Sequence, residues 1–171
     1  VRLRPVVSII TLTPSDDMGQ VNPDPVHLMR PGLLQLSALP PLALYVHLPW
    51  CIRKCPYCDF NSHVLDVGGS AHLDSELESI YIDQLLFDLD RDIEDFQLKA
   101  QIGSIFMGGG TPSLVSPAGI ARLLNEVDRR LPIASEAECT LEANPGSSDQ
   151  IKFQGYRAAG VNRLSLGIQS F

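Results

Sequence analysis

Positive charge is scarce in this chain of 171 residues: 13 lysines and arginines face 20 aspartates and glutamates, a formal net charge of −7. Such a balance argues against an electrostatic grip on nucleic acid or on an anionic membrane surface. Long apolar runs are missing as well. No stretch approaches the roughly 20 residues of a membrane-spanning helix, so no transmembrane segment is expected. The run VVSIITL at residues 6–12 follows Arg2 and Arg4 but lacks the small-residue cleavage site of a secretory signal. Cysteine is sparse, four in all, and three of the four fall within eight residues. That distribution excludes the disulfide framework of a small secreted domain. It suits a reducing compartment, with the cytoplasm as the expected location.

What is present divides the chain in two. Residues 1–41 are broken by PSDD, NPDP, RPG and Pro40-Pro41, and read as a proline-rich leader, expected to be disordered, with Met29 as an internal start of translation. Residues 42–171 alternate short apolar runs with longer amphipathic ones, the pattern of an α/β fold with a parallel sheet and crossover helices. Strands are expected at residues 43–48 (ALYVHL), 102–107 (IGSIFM), 139–143 (CTLEA) and 161–168 (VNRLSLGI). Leu77, Tyr81, Leu85, Leu89, Ile93 and Phe96 recur at steps of four and three and predict one face of a long helix. Ser116-Pro117 supplies an N-cap and a first-turn proline for a helix carrying Ile120, Leu123, Leu124 and Val127. A further helix is expected over residues 148–159, with Gly160 as its C-cap. The order is β-α-β-α-β-α-β. With no helix after the fourth strand and too few strands to close a barrel, the domain is expected to be incomplete.

Each chemically suggestive segment follows one of those strands directly: the cysteine loop, GGGTP, EANPG and QSF. In parallel sheets the carboxyl ends of the strands share one rim, and that rim is where ligands bind.

The cysteine loop reads LPWCIRKCPYC. Three thiolates at the spacing CxxxCxxC can each hold one iron of a four-iron cluster and leave the fourth open. Zinc is the first rival, with Cys51, Cys55 and Cys58 joined by His47 or His63, although a second paired ligand motif is absent. A redox pair Cys55–Cys58 is the other rival, and it leaves Cys51 unexplained. Cys139 sits in an apolar strand pattern and reads as a small buried residue. Gly108, Gly109 and Gly110 end a strand without side chains and let a ligand approach the backbone. Glu142 sits at the end of the third strand and Gln169 in the matching place after the fourth, where each can hydrogen-bond a ligand.

YVHLPWCIRKCPYCDFNSH, FMGGGTPSL, LEANPG and RLSLGIQSF together resemble the radical S-adenosylmethionine enzymes of the oxygen-independent coproporphyrinogen oxidase family, and within it the haem-chaperone branch. The resemblance covers residues 40–171. It implies the N-terminal portion of a (β/α)6 partial TIM-type barrel and a [4Fe–4S] cluster held by Cys51, Cys55 and Cys58. It further implies S-adenosylmethionine bound at the open iron and cleaved by an electron from the cluster to a deoxyadenosyl radical. Tyr45 and Tyr57 would lie beside the nucleoside, Gly109, Gly110 and Thr111 against the methionine part, and Glu142 would hold the cofactor. Gln169 matches a residue at a second ligand site. Haem or porphyrin, a haem-acceptor protein and a reductant protein are the implied partners. Two activities follow: haem binding and transfer, or oxidative decarboxylation of coproporphyrinogen III. The oxidases carry a cysteine two residues after the third ligand, where this chain has Phe60, and this departure points to the chaperone branch.

Overall fold

The computed structural model of the chain describes residues 40–65, 73–144 and 149–168. The leader expected over residues 1–41 therefore lies outside the described residues apart from its last two prolines, and so does Gln169. Six strands are described: β1 (Leu42–Leu48), β2 (Trp50–Cys51), β3 (His63–Val64), β4 (Ile102–Gly109), β5 (Ile133–Ala143) and β6 (Arg163–Leu166). Four of them, β1, β4, β5 and β6, lie side by side in that order as one parallel sheet, and β2 and β3 form a separate pair. Helices α1 (Ser75–Asp95), α2 (Pro117–Arg130) and α3 (Asp149–Ala158) connect the strands of the larger sheet. The expected alternation of strand and helix is therefore the observed one.

The helix ends follow from local chemistry. Asp74 caps α1 by accepting from the N–H groups of Glu76 and Leu77. Ser116 caps α2, its hydroxyl accepting from the N–H of Gly119 at 2.9 Å, with Pro117 in the first turn. The Glu78 carboxylate on α1 accepts from both the N–H and the hydroxyl of Ser116, each at 2.7 Å, and so ties one helix to the start of the next. Past α3, Gly160 N–H donates to the Arg157 carbonyl and Val161 N–H to that of Tyr156, with Gly160 at φ +111°. Only glycine takes that left-handed conformation without strain, which is why the helix stops there.

Three details depart from expectation. On α1 the buried stripe is Ile82, Leu86 and Leu89, whereas Tyr81, Leu85 and Ile93 are half-buried and Phe96 is exposed. Steps of four overshoot a full turn by about 40°, so a row chosen on that spacing drifts off the buried face. β5 begins at Ile133, six residues before the expected start, because its first half bulges out of register with β4 between Ile102 and Ser104. The polar residues there, Ser135, Glu136 and Glu138, look like loop. β6 is shorter than expected because Asn162 is diverted: its side chain accepts from Cys139 N–H and donates to the Ala137 carbonyl, both at 2.8 Å.

One face of the sheet meets the helices. Val46, Leu48, Ile105, Met107, Cys139 and Leu141 pack with Ile82, Leu86 and Leu89 of α1, Ile120, Leu123, Leu124 and Val127 of α2, and Tyr156 of α3. Burying such a side chain contributes about 1.5–3 kcal/mol over leaving it exposed. Strand alternation sends the intervening residues to the opposite face. There, one register row runs Tyr45, Phe106, Thr140, Arg163 across all four strands. At the β6 edge Leu164 and Leu166, the partners of Leu141 and Ala143, stay 36% and 44% exposed.

Candidate functional site at the carboxyl edge of the sheet

The cysteine loop leaves β1 through the small second sheet, which sequence patterns do not reveal. β2 pairs in parallel with β3, each only two residues long. His63 N–H donates to the Pro49 carbonyl at 2.7 Å and Leu65 N–H to that of Cys51 at 3.0 Å, so both ends of the loop are pinned at its base. Cys51 is buried there, Cys58 is half-buried and Cys55 is exposed, and none of the three is in a disulfide. A turn closes between the last two, Cys58 N–H donating to the Cys55 carbonyl.

The GGGTP segment locks onto this base. Gly110 N–H donates to the Leu48 carbonyl at 2.8 Å and Thr111 N–H to that of Trp50 at 2.7 Å. A Cβ on Gly110 would come within 2.6 Å of the Trp50 carbonyl oxygen and 2.7 Å of the Pro49 carbonyl carbon. That separation is closer than any side chain tolerates, so this glycine is required by backbone packing within the chain itself. Gly109 has φ +116°, and a Cβ there would meet the His47 ring at 2.6 Å. The following turn, Pro112–Leu114, is held from beneath: the buried Tyr156 hydroxyl reaches the Ser113 and Val115 carbonyls at 3.0 and 2.7 Å. Little in the sequence marks Tyr156 for this role; its only signal is an aromatic three residues after Phe153 on one helix.

Of the residues expected at the site, Tyr45, Gly109 and Glu142 come together. Gly109 N–H donates to Glu142 Oε2 at 3.2 Å. Burial, and then the charge of Glu142, push the Tyr45 phenol above its ordinary pKa. Tyr45 stacks on Phe106, ring centres 6.2 Å apart, and its hydroxyl lies 3.2 Å from His47 Nδ1. Tyr57 stands apart, 71% exposed on the loop. Its phenol is also raised, first by a hydrogen bond to Cys55, then by the charge of Cys55, by burial and by the charge of Cys58. Thr111 is half-buried at the turn. Cys139 is buried in β5, as expected, and burial raises its thiol pKa.

Among the described residues no three His, Cys, Asp or Glu side chains are gathered into a metal-holding group, the zinc sets with His47 or His63 included. The donor chemistry nevertheless fits an iron–sulfur group: three unpaired thiols on one loop pinned at its base. Ser62, where the loop returns, is 5% exposed, and its hydroxyl has no hydrogen-bond partner. A buried donor left over on the same loop as three thiols suits hydrogen bonding to sulfur.

The family model described as the Radical SAM superfamily matches residues 45–171. The chain belongs to the radical SAM superfamily. Membership implies a [4Fe–4S] cluster and S-adenosylmethionine as cofactors. Among radical SAM relatives, the chain is 52% identical over 133 residues to "Heme chaperone HemW" of Escherichia coli (strain K12), covering 78% of this chain and 33% of that protein. It is 49% identical over 139 residues to the protein of the same name in Haemophilus influenzae, covering 80% and 34%. A mouse relative, "Radical S-adenosyl methionine domain-containing protein 1, mitochondrial", is 37% identical over 134 residues, covering 78% and 28%. The chain thus spans about a third of the length of the two bacterial relatives and 28% of the mouse one. A solved structure of coproporphyrinogen III oxidase (HemN) from Escherichia coli, a radical SAM enzyme, superposes with a TM-score of 0.65 at 30% identity. It covers 77% of this chain and 28% of that one. The parallel α/β sheet is therefore part of the radical SAM TIM-type fold. No helix among the described residues is long and apolar enough to cross a membrane.

Proposed function

We propose that the protein is a haem chaperone that keeps a radical SAM cluster site and passes haem to acceptor proteins. The observation that carries this reading is the 52% identity to the Escherichia coli heme chaperone across 78% of the chain. In this reading Cys51, Cys55 and Cys58 hold the cluster. When bound, the cluster supplies an open iron and an electron for S-adenosylmethionine. The chain's own residues do the positioning. Tyr45, backed by Phe106, offers a flat surface to the nucleoside, and Tyr57 joins it from the loop. Gly109, Gly110 and Thr111 face the methionine part with backbone groups. Glu142, already turned toward the same turn by Gly109 N–H, accepts from the cofactor's amine or hydroxyl groups. Gln169 contacts a second ligand. The cytoplasm, where thiols stay reduced, is the proposed compartment.

The solved coproporphyrinogen III oxidase structure supports a second reading, oxidative decarboxylation of coproporphyrinogen III. Phe60, exposed on the loop where the oxidases carry cysteine, favours the chaperone. The test is made in the full reading frame that contains these residues. Anaerobic reconstitution should give about four iron and four sulfide per chain, lost in Cys51→Ala, Cys55→Ala and Cys58→Ala and kept in Cys139→Ala. Added haem should bind and pass to an apo-acceptor, while coproporphyrinogen III with S-adenosylmethionine and reductant should give no protoporphyrinogen. Catalytic decarboxylation would reverse the two readings, and stoichiometric zinc in place of iron would remove both.

A further inference from the structure

His47 sits on β1 between the site and the cysteine loop, and its ring is held on several sides. Nε2 lies 2.8 Å from the Asn61 carbonyl oxygen. A carbonyl only accepts, so Nε2 carries the proton and donates. In the neutral ring Nδ1 is then bare and accepts the Tyr45 hydroxyl at 3.2 Å. One ring therefore joins a hydroxyl on the sheet to a carbonyl on the loop, and each bond fixes the role of the other. The space on the Gly109 side is closed, since even a Cβ there would meet the ring. The backbone is held as well, because the Tyr81 hydroxyl on α1 donates to the His47 carbonyl at 2.8 Å, and Tyr81 packs edge-on against Trp50 at 4.3 Å between ring centres.

The carbonyl that His47 takes belongs to the segment just past the third cysteine. Lys54, inside the loop, reaches the carbonyls on either side, Phe60 at 3.4 Å and Ser62 at 3.3 Å. Three consecutive carbonyls are thus held by two side chains, of which Lys54 ties the loop to itself and His47 ties it to the sheet.

We propose that His47 is a positioning residue that couples closure of the cysteine loop to the orientation of the Tyr45 hydroxyl, and through it to the seat of the nucleoside. The inference rests on the cofactor reading above. When the loop closes on its cluster, Asn61 holds the imidazole in one orientation and one tautomer, and Tyr45 is aimed by the bare nitrogen. When the loop opens, the ring loses its fixed end and Tyr45 its acceptor.

The test uses the full reading frame, reconstituted anaerobically, with retained folding checked by circular dichroism. His47→Ala and Tyr45→Phe should each weaken S-adenosylmethionine binding roughly three- to tenfold, the loss of one hydrogen bond. The double variant should bind no more weakly than the weaker single one, because both changes break the same chain of contacts. Full multiplication of the two losses would overturn the proposal, since a residue with a merely structural role gives additive effects. A second measurement needs no S-adenosylmethionine: amide hydrogen exchange over residues 61–65. His47→Gln keeps a donor at the Nε2 position and should keep this protection. His47→Asn, too short to reach Asn61, should lose about tenfold, as expected for one hydrogen bond. Equal protection in wild type and His47→Asn would refute the tie to the loop. Failure of the wild-type protein to bind S-adenosylmethionine would strike the cofactor reading and leave the exchange measurement to decide the tie.

Discussion

The two faces of the sheet are made by the same four strands and share almost nothing else. Toward the helices stand Val46, Leu48, Ile105, Met107 and Leu141, none more than 5% exposed. On the other face, one residue along each strand, stand Tyr45, His47, Phe106, Glu138, Glu142 and Arg163. Parallel sheets are usually covered on both sides and their strands read as continuous apolar runs. Here β1 and β5 alternate instead. The difference teaches that the first face provides the stability and the second is left polar for chemistry, so neighbouring residues on one strand should answer to different measurements.

Leu141 and Glu142 put that division to its hardest test. Leu141→Ala should cost about 2–5 kcal/mol in urea unfolding, a large part of a typical domain's stability. Glu142→Gln should change stability by less than about 1 kcal/mol and weaken S-adenosylmethionine binding roughly tenfold or more. If the two losses were alike in unfolding, the two faces would not be energetically distinct. Gly110→Ala comes next and sharpens the boundary between them. Its Cβ would strike the backbone of Pro49 and Trp50, so we expect a loss of about 1–3 kcal/mol together with lost iron content. A variant that loaded normally and failed only in cofactor binding would make Gly110 a ligand-approach residue alone.

A smaller effect distinguishes the covered side by pH. The Tyr81 phenol is pushed up to about 12, first by burial, then by the charges of Asp88 and Tyr45. Its folded pKa exceeds the unfolded value of about 10. The stabilisation is therefore fully present below pH ~10 and is lost as pH rises through the folded value. Ultraviolet titration should show Tyr81 ionising in that range, and Tyr81→Phe should flatten the alkaline fall in stability. The smallest effect belongs to the open face. Arg163 hydrogen-bonds Glu138 at 2.7 Å and thereby lowers its carboxyl pKa. That contribution exists above the ordinary glutamate range and fades as pH falls through the depressed value. Because the pair is exposed and screened, Arg163→Ala should barely move the urea midpoint at neutral pH and should not move it at all in strong acid. A large shift would mean that the open face stabilises the fold after all.

Local order along the chain is legible in the residues themselves. Ser116-Pro117 and Gly160 mark helix ends because capping is decided by the few residues at the end itself. The three cysteines, GGGTP and Glu142 are legible as a group because each lies at the carboxyl end of a strand, and parallel strands bring those ends to one edge. The buried stripe of α1 is only half legible, since spacing alone does not say which of two adjacent rows faces inward. The pairing of β2 with β3, the backbone contact that demands glycine at 110, and the Tyr156 brace under Ser113, 43 residues away, are not legible at all. Nor is the place of His47 between Tyr45 and Asn61. Composition and periodicity settle which way a residue turns within its own element. Which distant backbone it then meets is settled only when loops and helices of particular lengths have closed on one another.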